Sequence, residues 1–268
     1  MQNLHKVMRA VQAGIVALVC VLPLLSWSQL GGAVAPVPRA HVAAASNLKF
    51  VMDDLLALYK KQTGREVKLT LGASGQLAQQ IRQGLPVALF LSADEDRVNE
   101  LVTAGLTQDA GQVYGIGRLA LVVPKESRLP LEAGLKPLVL ALKSQDKFAI
   151  ASPDLAPYGW AAQEALTHEG LWQQAKSQLV KGENIAQTMQ FVVTGSAQAG
   201  ITALSMVMTP EVTPRIRYQL IPKTMHAPIR QKLVVLKGAG PEASNLRDFL
   251  LSTPAQAVFR RHGYDTAP

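Results

Sequence analysis

Cysteine is almost missing from this sequence, since Cys20 is the only one in 268 residues. One cysteine cannot close an intrachain disulfide, so we expect a fold that needs neither a disulfide bond nor thiolate metal ligands. Aromatic residues make up only 5% of the chain and are too dispersed to predict a sugar-stacking cleft. The five histidines are equally dispersed, which argues against the short spacings of a histidine metal site.

The sequence also lacks the common catalytic motifs. No Gly-rich loop ends in Lys-Ser or Lys-Thr, and no G-x-G-x-x-G follows a predicted strand. Ser74 does not lie in a G-x-S-x-G motif, because Gly72 and Gly75 flank it with the wrong spacing. Asp53 and Asp54 fall on the outer face of a predicted helix, which indicates a solvated pair rather than a catalytic dyad. We therefore expect a protein that is not an enzyme.

Charged residues are moderate in number and basic in balance. They make up 17% of the chain against 48% hydrophobic residues, and the formal net charge is +8. This composition is typical of a globular protein. The lysines and arginines are scattered without a run of five, so a solvated basic surface is favoured over nucleic-acid binding.

The N-terminus has the order of residues that is typical of a secretory signal. Lys6 and Arg9 precede an apolar stretch from 13 to 25, and small residues follow it. This order predicts a cleavable signal peptide at 1–28, with the cleavage site as late as about residue 40. An uncleaved membrane anchor is the alternative, although the apolar stretch is short for a membrane span. We expect the mature chain in the periplasm.

Apolar runs typical of buried strands alternate with helical spacing along the rest of the chain. The strands are predicted near 41–45, 66–71, 87–91, 119–123, 148–151, 201–204, 218–221 and 232–236. Alternation of this kind predicts an α/β fold with mainly parallel sheets flanked by helices. We expect two lobes joined by a hinge, with residues 40–118 and 225–268 in the first lobe and 119–224 in the second.

Four predicted strand-to-helix junctions are rich in small and polar residues. They are Ser46-Asn47, Gly72-Ala73-Ser74-Gly75, Pro157-Tyr158-Gly159 and Glu183-Asn184-Ile185. Open α/β sheets bind ligands at this edge. The first turn of a helix offers unpaired backbone N–H groups to an anion. The same residues are also ordinary helix caps and turns, so the pattern alone leaves the two interpretations about equal.

Several segments, in order, resemble the periplasmic molybdate-binding proteins of bacterial ABC importers, a family often called ModA, which has the type II periplasmic solute-binding fold. The resemblance covers about residues 40–264. The segments are AAASNL at 43–48, GASGQLAQQI at 72–81, LFLSAD at 89–94, SPDLAPYG at 152–159, GENIAQT at 182–188, ITALS at 201–205, HAPIRQ at 226–231 and FLLSTPAQAVFRRHGY at 249–264.

The resemblance implies a two-lobed protein that closes over one molybdate or tungstate oxyanion. Its ligand contacts would be the hydroxyl and N–H groups of Ser46 and Ser74 and the N–H groups of Asn47, Tyr158 and Ile185. No cofactor and no direct metal ligand are implied, because molybdenum enters only as the oxyanion. The implied partners of a monomeric receptor are a membrane permease and its ATPase.

Other functions remain open at this point. Sulfate is a dianion like molybdate, and phosphate, which keeps a proton, would be suited by an acceptor such as Asp154 or Glu183 near the loops. A ligand sensor or a receptor for another solute such as an organic anion is a second class. A secreted hydrolase is a third, for which no nucleophile and base can be assembled.

Overall fold

The structure is a computed structural model that describes residues 40–266. These residues belong to one compact unit. The predicted signal peptide at 1–28, together with Cys20, lies outside the described residues, so it stays a prediction. Within residues 40–266, no helix is long and apolar enough to cross a membrane.

Strands and helices alternate along the described chain. The strands are β1 (Ala40–Ala45), β2 (Val67–Gly72), β3 (Leu89–Ser92), β4 (Gln112–Gly117), β5 (Leu119–Pro124), β6 (Phe148–Ala151), β7 (Leu179–Gly182), β8 (Ala199–Ala203), β9 (Ile216–Leu220) and β10 (Ile229–Val235). The helices are α1 (Lys49–Thr63), α2 (Ser74–Arg82), α3 (Asp96–Thr103), α4 (Leu135–Leu140), α5 (Pro157–His168), α6 (Trp172–Ala175), α7 (Ile185–Val193), α8 (Leu204–Val207), α9 (Pro241–Leu251) and α10 (Thr253–Arg261).

The strands form two five-stranded sheets, each the centre of one lobe. The first sheet has the order β2-β1-β3-β10-β4, and the second has the order β7-β6-β8-β5-β9. The first therefore combines residues 40–117 with 229–235, and the second is drawn from 119–220. The predicted two-lobed α/β fold is confirmed in this arrangement, while the predicted lobe boundaries at residues 118 and 225 stay a prediction.

Each sheet is mixed rather than mainly parallel. Strands β1, β2 and β3 pair in parallel, but β10 pairs antiparallel with both β3 and β4. In the second sheet β6 pairs in parallel with β7 and β8, and β5 is antiparallel to β8 and β9. Each of these antiparallel pairs includes β5 or β10. Both strands directly follow a passage of the chain from one sheet to the other.

Helix α1 shows how the sequence fixes the packing of one element. Its apolar positions fall on one face, and the buried ones are Val51, Met52, Leu55 and Tyr59. Gly64 ends the helix with φ of 71°, a left-handed conformation that glycine adopts without a Cβ clash. Asp53 and Asp54 are exposed, as predicted for the outer face.

Candidate functional site

The predicted site residues follow the carboxyl ends of parallel strands in both sheets. Ser46 follows β1 directly, and Ser74 begins α2 two residues after β2. In the second sheet, Tyr158 lies in the first turn of α5 after β6, and Ile185 begins α7 after β7. Each of the two groups therefore lies at the edge where open α/β sheets bind ligands.

Packing and a hydrogen bond between their loops bring the two groups together. Ala45 and Ala73, which precede Ser46 and Ser74, are buried in the same cluster as Tyr158 and Ile185. Helix α7 also packs against the 3₁₀ turn at Ser46–Leu48. The backbone N–H of Gly75 donates to the carbonyl of Leu155 at 3.0 Å, which joins the α2 loop to the α5 loop. The loops of the two lobes thus contact one another directly.

Ser74 and Ser46 supply buried hydroxyl groups. The Ser74 side chain is buried, and its Oγ accepts a hydrogen bond from the backbone N–H of Ala93 at 3.0 Å. A hydroxyl that accepts in this way keeps its own proton to donate. Ser46 is also buried, and within residues 40–266 no hydrogen-bond partner is found for its hydroxyl. Both hydroxyl groups can therefore donate to an anion.

The first turn of α5 leaves one amide for a ligand. Pro157 has no N–H, and the N–H groups of Gly159 and Trp160 both donate to the Ala156 carbonyl. Tyr158 therefore provides the first-turn N–H that these bonds do not use. A residue as large as tyrosine could serve an anion here, because only its backbone would be needed.

The first turn of α7 also leaves one backbone amide for a ligand, but for a different reason. Asn184 caps this helix, and its Oδ1 accepts from the N–H groups of Ala186 at 3.0 Å and Gln187 at 3.1 Å. The cap thus satisfies the second and third amides of the helix and leaves the first, that of Ile185. A helix N-terminus also carries a positive partial charge, which favours an anion.

The side chain of Asn47 is occupied by hydrogen bonds to other parts of the protein. Its Nδ2 donates to Gln231 Oε1 at 3.0 Å and to the Tyr264 hydroxyl at 2.8 Å. Its backbone carbonyl accepts from Tyr264 and from Ser205. The backbone N–H is therefore the group through which Asn47 would serve an anion.

Sequence reasoning missed the buried polar residues behind these loops. Tyr114, Ser205, Gln231 and Tyr264 are all buried and are linked by hydrogen bonds to Asn47 or to one another. Burial raises the pKa values of Tyr114, Tyr158 and Tyr264 above that of an exposed tyrosine, so these hydroxyls stay neutral at neutral pH. Gln231 and Tyr264 end the segments HAPIRQ and FLLSTPAQAVFRRHGY, but neither residue was assigned to the site from the resemblance.

A groove lies beside these loops. It has a volume of about 430 Å³ and shares Ala93, Leu155 and Ala156 with the surroundings of the site. Its lining also includes Arg97 and Arg230, but none of the five predicted ligand residues. Among residues 40–266, no group of three or more His, Cys, Asp and Glu side chains is placed to hold a metal ion.

Comparison with known proteins gives consistent relatives. Two are molybdate-binding proteins ModA. The one from Azotobacter vinelandii is 34% identical over 86% of this chain and 91% of its own length, and the one from Rhodobacter capsulatus is 31% identical over 96% and 98%. The solved structure of the A. vinelandii periplasmic molybdate-binding protein superposes with a TM-score of 0.77 at 28% identity, and covers 86% of this chain and 100% of that chain.

The family assignment follows from a match over almost all of the described chain. The sequence model of the bacterial extracellular solute-binding proteins matches residues 40–265. The relatives named above agree with it in sequence and in fold. The chain belongs to the family of bacterial extracellular solute-binding proteins.

Proposed function

We propose that this protein captures molybdate, and tungstate in the same way, between its two lobes and delivers it to an ABC importer. The anion is held by the hydroxyl and N–H groups of Ser46 and Ser74 and by the N–H groups of Asn47, Tyr158 and Ile185. The protein acts in the periplasm as a monomer, without a cofactor and without catalysis. Its partners are the membrane permease and ATPase of that importer.

The observation that carries this proposal is the buried set of neutral donors from both lobes. Ser74 Oγ accepts from the Ala93 N–H, so its own proton is free to donate, and the first-turn hydrogen bonds of α5 and α7 leave the Tyr158 and Ile185 amides unused. Hydrogen bonds to a charged partner are worth about 1.5–3 kcal/mol each. Five or six of them together favour binding of a dianion without any Lys or Arg.

A fully ionised dianion suits this set better than phosphate does. Phosphate keeps a proton at neutral pH and needs a buried acceptor for it. Asp154 and Glu183, the carboxylates considered above as acceptors for that proton, are exposed, whereas the five donor residues are buried. The site therefore favours molybdate, tungstate or sulfate over phosphate. Among these dianions, the similarity to molybdate-binding relatives favours molybdate.

Hydrolysis by Ser74 is the alternative of a different class, and the surroundings of Ser74 argue against it. A serine nucleophile needs a base within hydrogen-bonding reach of its hydroxyl. In the described chain, the hydrogen bond found for Ser74 Oγ comes from the Ala93 N–H, and no histidine or carboxylate contacts it. This supports a receptor rather than an enzyme.

Titration calorimetry against four anions tests the proposed function. Protein lacking residues 1–28 is expected to bind molybdate and tungstate tightly, at one anion per chain, and sulfate and phosphate at least about 100-fold more weakly. The similarity to molybdate-binding relatives favours molybdate over sulfate. Asp154 and Glu183 are exposed, so they offer phosphate no buried acceptor. Sulfate affinity equal to that of molybdate would contradict the molybdate assignment, and tight phosphate binding would contradict the dianion argument.

A further inference from the structure

Gln231 lies in β10 at the point where the pairing of this strand with β4 is irregular. The register between these strands shifts between Gln231 and Lys232, and the Gln231 side chain is completely buried. Its Oε1 accepts from the Tyr114 hydroxyl at 2.7 Å and from Asn47 Nδ2 at 3.0 Å. Its Nε2 donates to the Tyr158 hydroxyl at 2.7 Å. Both ends of this amide are therefore used.

The two partners Asn47 and Tyr158 come from different lobes and are both proposed anion donors. Asn47 follows β1 of the first sheet, and Tyr158 follows β6 of the second. Each would bind the anion through its backbone N–H, while its side chain ends on Gln231. One buried amide thus connects two backbone donors that must lie a fixed distance apart to share one anion.

A glycine leaves space for this hydrogen-bonded connection at the point where the chain passes from the first lobe to the second. Gly117 is the last residue of β4, and a Cβ built on it would overlap the Tyr158 hydroxyl and lie 2.7 Å from Gln231 Nε2. Any side chain at this position would push Tyr158 and Gln231 apart. The hydroxyl of Tyr158 can therefore lie against the end of β4 only because residue 117 is glycine.

The first lobe holds Asn47 from a second direction. The hydroxyl of Tyr264 accepts from Asn47 Nδ2 and also lies 3.1 Å from Ser205 Oγ, which belongs to α8 of the second lobe. Ser205 Oγ in turn donates to the Asn47 carbonyl at 2.9 Å. Gln231 therefore acts within a buried network that spans both lobes and contains only neutral groups.

We infer that Gln231 is a positioning residue for anion capture, because its buried amide fixes the Asn47 loop of one lobe against the Tyr158 helix start of the other. This inference rests on the proposed function for the identity of the anion. Loss of the connection frees the two N–H donors to separate, so the bound anion leaves sooner. All the donor groups remain, so we expect the rate of anion association to stay unchanged.

The substitution Tyr158→Phe tests the inference without removing a ligand group, because the ring and the backbone N–H both remain. We expect molybdate to bind about three- to tenfold more weakly, the loss expected for one hydrogen bond. The whole loss is expected in a faster dissociation rate, measured by stopped-flow tryptophan fluorescence; Trp160 lies two residues along α5. Gln231→Leu is the second variant, with a larger loss expected in the same direction.

Tyr59→Phe is the matched control. It deletes a buried tyrosine hydroxyl in the first lobe, which donates to Glu242 at 2.5 Å, away from the Gln231 network. We expect its molybdate affinity and dissociation rate to equal those of the unsubstituted protein. A purely structural role of Tyr158 would lower the melting temperature and leave the dissociation rate unchanged, and that result would overturn the inference even if Gln231→Leu failed to fold.

The unsubstituted protein is titrated with molybdate, sulfate and phosphate in the same series, so that the two proposals fail differently. If it binds sulfate or phosphate instead of molybdate, the proposed ligand is wrong. The effect of Tyr158→Phe on that anion then still decides the role of Gln231. If the protein binds none of the three anions, both proposals are overturned.

Discussion

Molybdate binding is expected to fall by a factor of about 100 to 10,000 when Ser46 and Ser74 are both replaced by alanine. Each substitution removes a buried hydroxyl donor, and a hydrogen bond to a charged group contributes about 1.5–3 kcal/mol. Two such losses sum to about 3–6 kcal/mol, and 1.4 kcal/mol corresponds to a factor of ten. Titration calorimetry of the double variant measures the loss directly.

A matched double variant separates this effect from a general effect of serine substitution. Ser177 and Ser196 are both exposed, and replacing them with alanine removes the same two atoms from the surface. This control is expected to bind molybdate like the unsubstituted protein. If Ser46→Ala/Ser74→Ala also keeps full affinity, the two hydroxyls are not ligands, and the anion must bind elsewhere.

Gly159→Ala is expected to weaken molybdate binding at least tenfold and to lower the free energy of unfolding by about 1–3 kcal/mol. A Cβ at Gly159 would overlap the Ala151 carbonyl oxygen and lie 2.8 Å from the carbonyl carbon of Ser152. These are backbone atoms at the end of β6, so no flexible side chain can move aside. The start of α5 must shift, and the Tyr158 N–H shifts with it.

Gly240→Ala is the control for this substitution. Gly240 precedes α9 with φ of −74°, and a Cβ there meets nothing within 4 Å. We expect this variant to match the unsubstituted protein in urea unfolding and in calorimetry with molybdate. Normal affinity in a folded Gly159→Ala variant would show that the Tyr158 amide makes no contribution to the site.

The parts of the fold that the sequence predicted well are the buried strands that precede helices. Strand β6 has the predicted bounds 148–151, and β1 begins one residue before the predicted 41. Both are apolar runs bounded by turn residues, so the neighbouring sequence is enough to predict where each strand begins and ends. The sequence gives no comparable local sign of strand direction. The antiparallel pairing of β10 with β3 and β4 depends on contacts with distant segments and was not predicted.

Short elements with weak patterns were also missed. Strand β4 contains Gly115 and Gly117, which are typical of turns rather than strands. Helix α8 has only four residues, too few for helical spacing to be recognised. Strand β7 and helix α4 were likewise not predicted. In each case the packing of neighbouring elements decides the structure, and local preference does not.

The candidate site could be proposed from the sequence because Asn47, Tyr158 and Ile185 would donate through the backbone alone, and it stays a prediction. A strand-to-helix junction fixes where the first-turn N–H groups lie, whatever the side chain, so Tyr158 and Ile185 could be named from their junctions and the resemblance. The buried hydrogen-bond network behind these donors could not be predicted from the sequence. Asn47 and Gln231 are 184 residues apart in the chain, and only the folded structure shows that their side chains meet.

The position of the bound anion tests the account most directly. A crystal of the protein grown with molybdate, measured at the molybdenum absorption edge, is expected to show one anomalous peak. The predicted peak lies within hydrogen-bonding distance of the Ser46 and Ser74 hydroxyls and of the Tyr158 and Ile185 N–H groups. A peak in the neighbouring groove beside Arg97 and Arg230, with none between the four donors, would contradict the account.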